Sequence, residues 1–176
     1  MTFLSILVLA TLAAAAGSRM QSGAVRWRRA AQMGLGVAFA TAGVSHFVDT
    51  TPFEQHLPEW MPAATTIIVV SGIAEIVLGF ALIAVRDSAP VVGLAAVMFL
   101  VGVFPANVYV AVAGVDVDGL PGGLYPWLRL PLQAVFVVWA WISTRPTRNR
   151  TETHADGPGE RVVPALTTSS HTTSDR

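Results

Sequence analysis

Long apolar segments separated by short polar ones set the pattern of this 176-residue chain. The most continuous of them, Pro62–Val85, carries one charged residue, Glu75, near its middle. Two others, Ala30–Phe47 and Pro90–Ala113, contain no Asp, Glu, Lys or Arg. About 20 apolar residues, each rising ~1.5 Å along a helix, cross the ~30 Å hydrocarbon core of a bilayer. All three segments are therefore predicted to be transmembrane helices.

Shorter apolar segments lie on either side of these three. Phe3–Ala16 has no basic residue before it and arginines after it, which is opposite to the charge order of a secretory signal. The alanine-rich end before Gly17 and Ser18 nevertheless resembles a cleavage site. We predict an uncleaved helix here and another helix at Trp127–Ser143. Residues 145–176 are polar and rich in Thr and Ser, which predicts a disordered tail.

Arginine placement predicts the orientation of the helices. The loops 48–61 and 114–126 contain acidic residues and no arginine, which predicts that they are external. The positive-inside rule places the arginine-rich segments in the cytoplasm. With five spans, these arginines all fall on that side: Arg19, Arg26, Arg28, Arg29, Arg86, Arg145, Arg148 and Arg150.

The predicted fold is an all-α membrane protein with five spans, its N-terminus outside and its C-terminus in the cytoplasm. It consists of an N-terminal helix with an arginine-rich loop (1–29), a four-helix transmembrane bundle (30–144) and the cytoplasmic tail (145–176). Cleavage of the first helix would leave the orientation of the other four unchanged.

Composition narrows the functional classes. Only 12% of residues are charged, about half the fraction of a soluble domain, and 53% are hydrophobic. The net charge is zero, which argues against nucleic-acid binding. The absence of cysteine excludes disulfide exchange and Cys-ligated metal centres in this chain. His46 and His56 are ten residues apart and share no helical face, so no metal site is predicted.

Small residues share faces of the predicted helices. Gly36, Ala40 and Gly43 lie on one face of the second helix. On the third helix, Ser71, Glu75 and Gly79 share a face, with Gly72 beside it. Small side chains allow two backbones to approach closely in a membrane, so these faces are predicted to pack against neighbouring helices.

A proline interrupts the helix that follows. Pro105 has no amide hydrogen for the carbonyl of Val101, so the helix should bend there and leave that oxygen in need of another donor. Asn107 is the nearest polar residue in the sequence.

Five polar residues at membrane depth form the candidate site: His46, Glu75, Asn107, Arg129 and Gln133. A buried charge near the centre of the bilayer costs roughly 3 kcal/mol and requires a partner. Because Arg129 and Gln133 are four residues apart on one helical face, we predict a hydrogen-bonded ladder from Arg129 through Gln133 to Glu75. Asn107 and His46 would flank its outer mouth. These residues would either bind a ligand or relay protons, or only hold the helices together.

Four motifs in order resemble the DoxX-like family of small bacterial membrane proteins: AGVSHF (Ala42–Phe47), SGIAEIVLG (Ser71–Gly79), FPAN (Phe104–Asn107) and PWLRLPLQ (Pro126–Gln133). The resemblance covers about residues 30–145. It implies a four-helix bundle in the bacterial inner membrane, with an N-terminal helix that some members share. The family takes its name from a subunit linked to thiosulfate:quinone oxidoreduction, and the resemblance supplies no catalytic residues.

The leading functional prediction is an accessory or ligand-binding subunit of a membrane redox system rather than a stand-alone enzyme. Its ligand would be quinone-like or a small polar molecule, with no covalent cofactor. Its partners would be the lipid bilayer and a membrane or peripheral oxidoreductase, whose cofactor would carry the electrons. The alternatives are a small proton-coupled transporter and a purely structural membrane scaffold.

Overall fold

A computed structural model describes residues 2–85, 90–117 and 122–145. In these ranges the chain is 82% helical and contains no strand. Residues 86–89 and nearly all of the predicted tail lie outside the described residues. The helices are α1 (Thr2–Ser22), α2 (Trp27–Val48), α3 (Thr51–Glu54), α4 (Ala64–Ala84), α5 (Pro90–Ala113) and α6 (Tyr125–Thr144).

The first helix is longer than its apolar segment. It continues through Gly17 and Ser18 to Ser22, so Arg19 lies within a helix and not in the predicted loop. The Ser18 hydroxyl donates to the carbonyl of Ala15, which keeps this polar residue compatible with the helix. Gly23 then ends the helix in the left-handed conformation, with φ at +71°. At 21 residues, α1 is long enough to cross a bilayer.

Successive long helices run in opposite directions. The start of α2 contacts the end of α4, and the start of α5 contacts the end of α6. The bundle therefore has two ends. The cavity end holds the start of α1, α4 and α6 and the end of α2 and α5, while the arginine end holds the opposite termini.

Glycines on α2 and α4 bring these two helices into backbone contact, as the sequence predicts. A Cβ atom on Gly43 would lie 2.6 Å from the carbonyl oxygen of Gly72, and one on Gly36 would lie 2.8 Å from that of Gly79. Both distances are too short for a carbon atom, so only glycine fits at this separation. The helices α2 and α4 form one tightly packed pair, and α5 and α6 form another.

The core between the helices is small and contains a row of aromatic rings. Phe39 of α2 is buried and lies edge-on to Phe3 of α1 at 6.0 Å and to Phe99 of α5 at 5.8 Å. The fully buried side chains of Leu7, Leu35 and Leu82 belong to the same cluster, which also includes Ala140 of α6. The cluster therefore joins all five long helices.

At the arginine end of the bundle, two adjacent arginines donate hydrogen bonds to the terminal carbonyls of other helices. The last carbonyls of a helix have no partner within it. Arg29 donates to the carbonyls of Leu82, Ile83 and Val85 at the end of α4, where Gln32 adds hydrogen bonds to two of the same oxygens. Arg28 donates to the carbonyls of Ile142 and Arg145 at the end of α6. The start of α2 thus caps two other helices.

The outer surface of the bundle is apolar. Leu9, Val91 and Val112 are 67%, 78% and 70% exposed, and many other large apolar side chains are more than a third exposed. Such a surface is typical of lipid contact. By length and composition, four of the described helices qualify as membrane spans: α1, α2, α4 and α5. The more polar α6 is outside this set although its 20 residues are long enough.

Candidate functional site

A cavity of about 530 Å³ opens at the cavity end, between the pair α2/α4 and the pair α5/α6. Its walls are largely apolar and include the start of α1 and the loop that follows α2. The structure brings all five predicted site residues to this one cavity: His46, Glu75, Asn107, Arg129 and Gln133.

His46 and Glu75 face each other on the α2/α4 wall. The His46 Nε2 atom lies 3.4 Å from the Glu75 Oε2 atom, which has no hydrogen-bond partner of good geometry. His46 Nδ1 lies 3.1 Å from the carbonyl oxygen of Ile68, which only accepts, so Nδ1 carries a hydrogen. The Ser71 hydroxyl, 3.3 Å from Nδ1, donates to the same carbonyl.

This arrangement requires one proton on the two side chains taken together. With a hydrogen on Nδ1, a neutral His46 would present the lone pair of Nε2 to Glu75. A carboxylate opposite that lone pair would be repelled, so either Glu75 is protonated or His46 carries a second hydrogen. In both cases the pair has no net charge. The pair can therefore give or take one proton at the cavity wall.

Arg129 and His56 form the polar contact on the facing wall. Arg129 Nη1 donates to His56 Nε2 at 2.7 Å, and His56 Nδ1 donates to the carbonyl oxygen of Pro52 at 2.7 Å. Because a guanidinium only donates and a carbonyl only accepts, these partners fix His56 as the neutral Nδ1–H tautomer. The guanidinium also lies 6.0 Å from the centre of the Tyr125 ring.

The prediction of a hydrogen-bonded ladder from Arg129 through Gln133 to Glu75 is wrong, because the three side chains contact other partners. Gln133 Nε2 donates to the carbonyl oxygen of Leu100 on α5 at 2.7 Å, and Arg129 and Glu75 pair with histidines. The reason is the pairing of helices, because α6 packs on α5 while α4 packs on α2. Gln133 thus joins α6 to α5 at the residue before Val101, whose carbonyl loses its helical donor at Pro105.

The loop after α2 covers the cavity and supplies a residue that sequence reasoning missed. The ring of Phe53 stacks on His46 with centroids 3.8 Å apart, and His56 reaches Arg129. Thr65 of α4 donates to Glu54 at 2.6 Å and holds the loop from a third side. The loop lacks a regular period, so nothing in the sequence shows which of its side chains turn inward.

The environment of His56 makes folding stability depend on pH. Burial, followed by the positive charge of Arg129, lowers its pKa from 6.5 to about 4, against the raising effect of the bond to Pro52. As pH falls below 6.5, His56 becomes protonated in the unfolded chain, while in the folded chain it stays neutral until the pH approaches 4. The stabilisation is complete above about pH 6.5 and is lost as pH falls to 4.

We expect His56 to account for about 3 kcal/mol of the stability lost between pH 7 and pH 4. The measurement is the unfolding midpoint in one detergent across this range, for the native chain and for His56→Gln. Carboxylates contribute equally to both proteins, so the difference between the two slopes isolates the histidine. Parallel pH profiles would contradict the assignment of a buried neutral His56.

Fold and cavity together define a class of protein, an all-helical chain with membrane-length apolar helices around a polar-lined cavity. Residues 35–144, more than half of the chain, match the family described as Domain of unknown function (DUF8561), and the chain belongs to that family. No curated protein and no solved structure matches it. The matched range contains every predicted site residue and His56 but not α1. The resemblance to the DoxX-like family stays a prediction, because these comparisons do not test it.

Proposed function

We propose that this protein binds a small amphiphilic ligand, quinone-like or otherwise small and polar at one end, in the cavity between its two helix pairs. The observation that supports this most is the distribution of polar groups. In a bundle whose outer surface is apolar, the proton-bearing pair His46–Glu75 and the donor Arg129 line one cavity from facing walls. Pockets with apolar walls and few polar groups are typical of small-molecule sites.

The proposal includes the finer topology. All five long helices would cross the bacterial inner membrane, with α6 as the fifth span. The N-terminus and the cavity end would face outward, and the arginine end would face the cytoplasm. The alternating helix directions and the arginines at the start of α2 support this orientation.

In this proposal each polar group makes a different contact with the ligand. Arg129 donates to a carbonyl or anionic oxygen of the ligand, and Asn107 offers a second polar contact from α5. The His46–Glu75 pair exchanges a proton with the ligand. Electrons would come from the cofactor of an oxidoreductase partner, and it is the DoxX-like resemblance that suggests such a redox system.

The test fills the cavity without disturbing the bundle. Gly102 lies on the cavity wall in α5, and a Cβ atom there would meet nothing within 4 Å. Gly17 in α1 is equally open but lies away from the cavity, so Gly17→Leu is a matched control. Both variants and the native chain are purified in mild detergent, and bound small molecules are identified by native mass spectrometry and solvent extraction.

We expect a stoichiometric amphiphile with the native chain and with Gly17→Leu, and at least a tenfold smaller amount with Gly102→Leu. Equal retention by all three proteins would show ordinary lipid on the outer surface and would refute the binding cavity. A folded native chain that retains no small molecule would instead favour the structural scaffold.

A further inference from the structure

We propose that the ligand of this cavity binds as a monoanion, with its ionised oxygen on Arg129. This inference rests on the proposed binding function and names the chemical class of the ligand. It follows from counting the charges that face the cavity.

Arg129 has no acidic partner among the residues that the structure describes. Its contacts are the Nε2 atom of His56 and the ring of Tyr125. Two acids of the loop above the cavity accept hydrogen bonds from other groups. Glu54 accepts a hydrogen bond from Thr65, and Asp49 accepts one from the backbone of Thr51. The ion pair found in the described ranges joins His46 and Glu75.

The other titratable groups at the cavity do not compensate this charge. His56 is held neutral, since its two nitrogens donate to a carbonyl and accept from a guanidinium. The His46–Glu75 pair carries one proton between its two members and no net charge. Among the described residues that line it, the cavity therefore carries one positive charge, which belongs to Arg129.

An uncompensated cation in an apolar cavity is unfavourable, and a ligand with one negative charge would remove that cost. A neutral ligand of the same shape would leave it in place. The free donors of the guanidinium suit a two-oxygen group such as a carboxylate or an ionised hydroxyquinone. Rings of Phe39, Phe99 and Phe136 line the same cavity, which favours a flat aromatic body.

The experiment compares two probes that differ in charge and share a ring system. 2-Hydroxy-1,4-naphthoquinone is ionised at neutral pH, and its methyl ether is neutral. Binding of each to the full chain is measured at pH 7.5 by calorimetry, with empty detergent micelles as the blank. The variants are Arg129→Gln, which removes the charge, Arg129→Lys, which keeps it, and the cavity-filling Gly102→Leu.

We expect the native chain to bind the anion at least tenfold more tightly than the ether. Arg129→Gln should abolish that preference without weakening the ether, Arg129→Lys should keep most of it, and Gly102→Leu should lose both probes. Equal affinity for the two probes, still sensitive to Gly102→Leu, would overturn the monoanion and leave the binding cavity intact. Binding of neither probe would also overturn this inference, and the retention experiment then decides the binding function separately.

Discussion

Replacing Gly43 by leucine is expected to destabilise the bundle by about 3 kcal/mol or more, although leucine is the better helix former. A Cβ atom at this position would lie 2.6 Å from the carbonyl oxygen of Gly72, and the obstacle is backbone, which no rotamer change removes. Overpacking of this kind typically costs 1–3 kcal/mol for softer neighbours. The α2/α4 pair must therefore separate or tilt.

The matched variant for this prediction is Gly102→Leu, because the same substitution on α5 meets open space. It should leave stability unchanged or raise it by up to about 1 kcal/mol through helix propensity. Thermal unfolding in one detergent, followed by loss of the monodisperse chromatographic peak, measures both. Similar losses for the two variants would show that leucine itself, and not the helix contact, is responsible.

Removing one member of the His46–Glu75 pair is expected to cost about 3 kcal/mol, while removing both should cost much less. His46→Phe keeps a ring against Phe53 but removes the Nε2 atom that faces the buried Glu75 Oε2 atom at 3.4 Å. Breaking a buried pair from one side costs typically 3–5 kcal/mol, mostly for the group left behind. The carbonyl of Ile68 is not orphaned, because Ser71 also donates to it.

A double-mutant cycle of His46→Phe and Glu75→Met measures the coupling between the two side chains. We expect the double variant to be more stable than His46→Phe alone. Additive losses would mean that the two groups do not share a proton, and the neutral pair would have to be abandoned. Unfolding in detergent is again the measurement, at one fixed pH near 7, so that the contribution of His56 is the same in every variant.

Much of the fold follows from the sequence because a bilayer demands long apolar segments. The bounds of α5 match the predicted Pro90–Ala113, and the close approach at Gly36 and Gly43 is confirmed. The start and end of α6 differ from the predicted Trp127–Ser143 by two residues and one residue. The same demand explains the gathering of the five polar residues, because each of them avoids lipid by facing the interior.

What the sequence does not show is which helices form pairs. Helical period places Arg129 and Gln133 on one face of α6, but it does not reveal that α6 packs on α5 and leaves Glu75 to α2. His56 was missed for a related reason, since the path of an irregular loop depends on contacts distant in sequence. From the sequence, Arg28 and Arg29 are interpreted only as charges that set the orientation of the helices. Their hydrogen bonds to carbonyls distant in sequence give them a second role.

That second role has a consequence for how the protein is made. In the proposed topology, the start of α2 leaves the ribosome before α4 and α6 are made, so Arg28 and Arg29 would first act only as charges that hold this end of α2 on its side of the membrane. Once α4 and α6 have been made, the same two side chains donate hydrogen bonds to the carbonyls at the ends of these helices. A lysine would supply the same charge for orienting α2. Its compact ammonium, however, lacks the planar set of donors with which Arg29 binds three carbonyl oxygens.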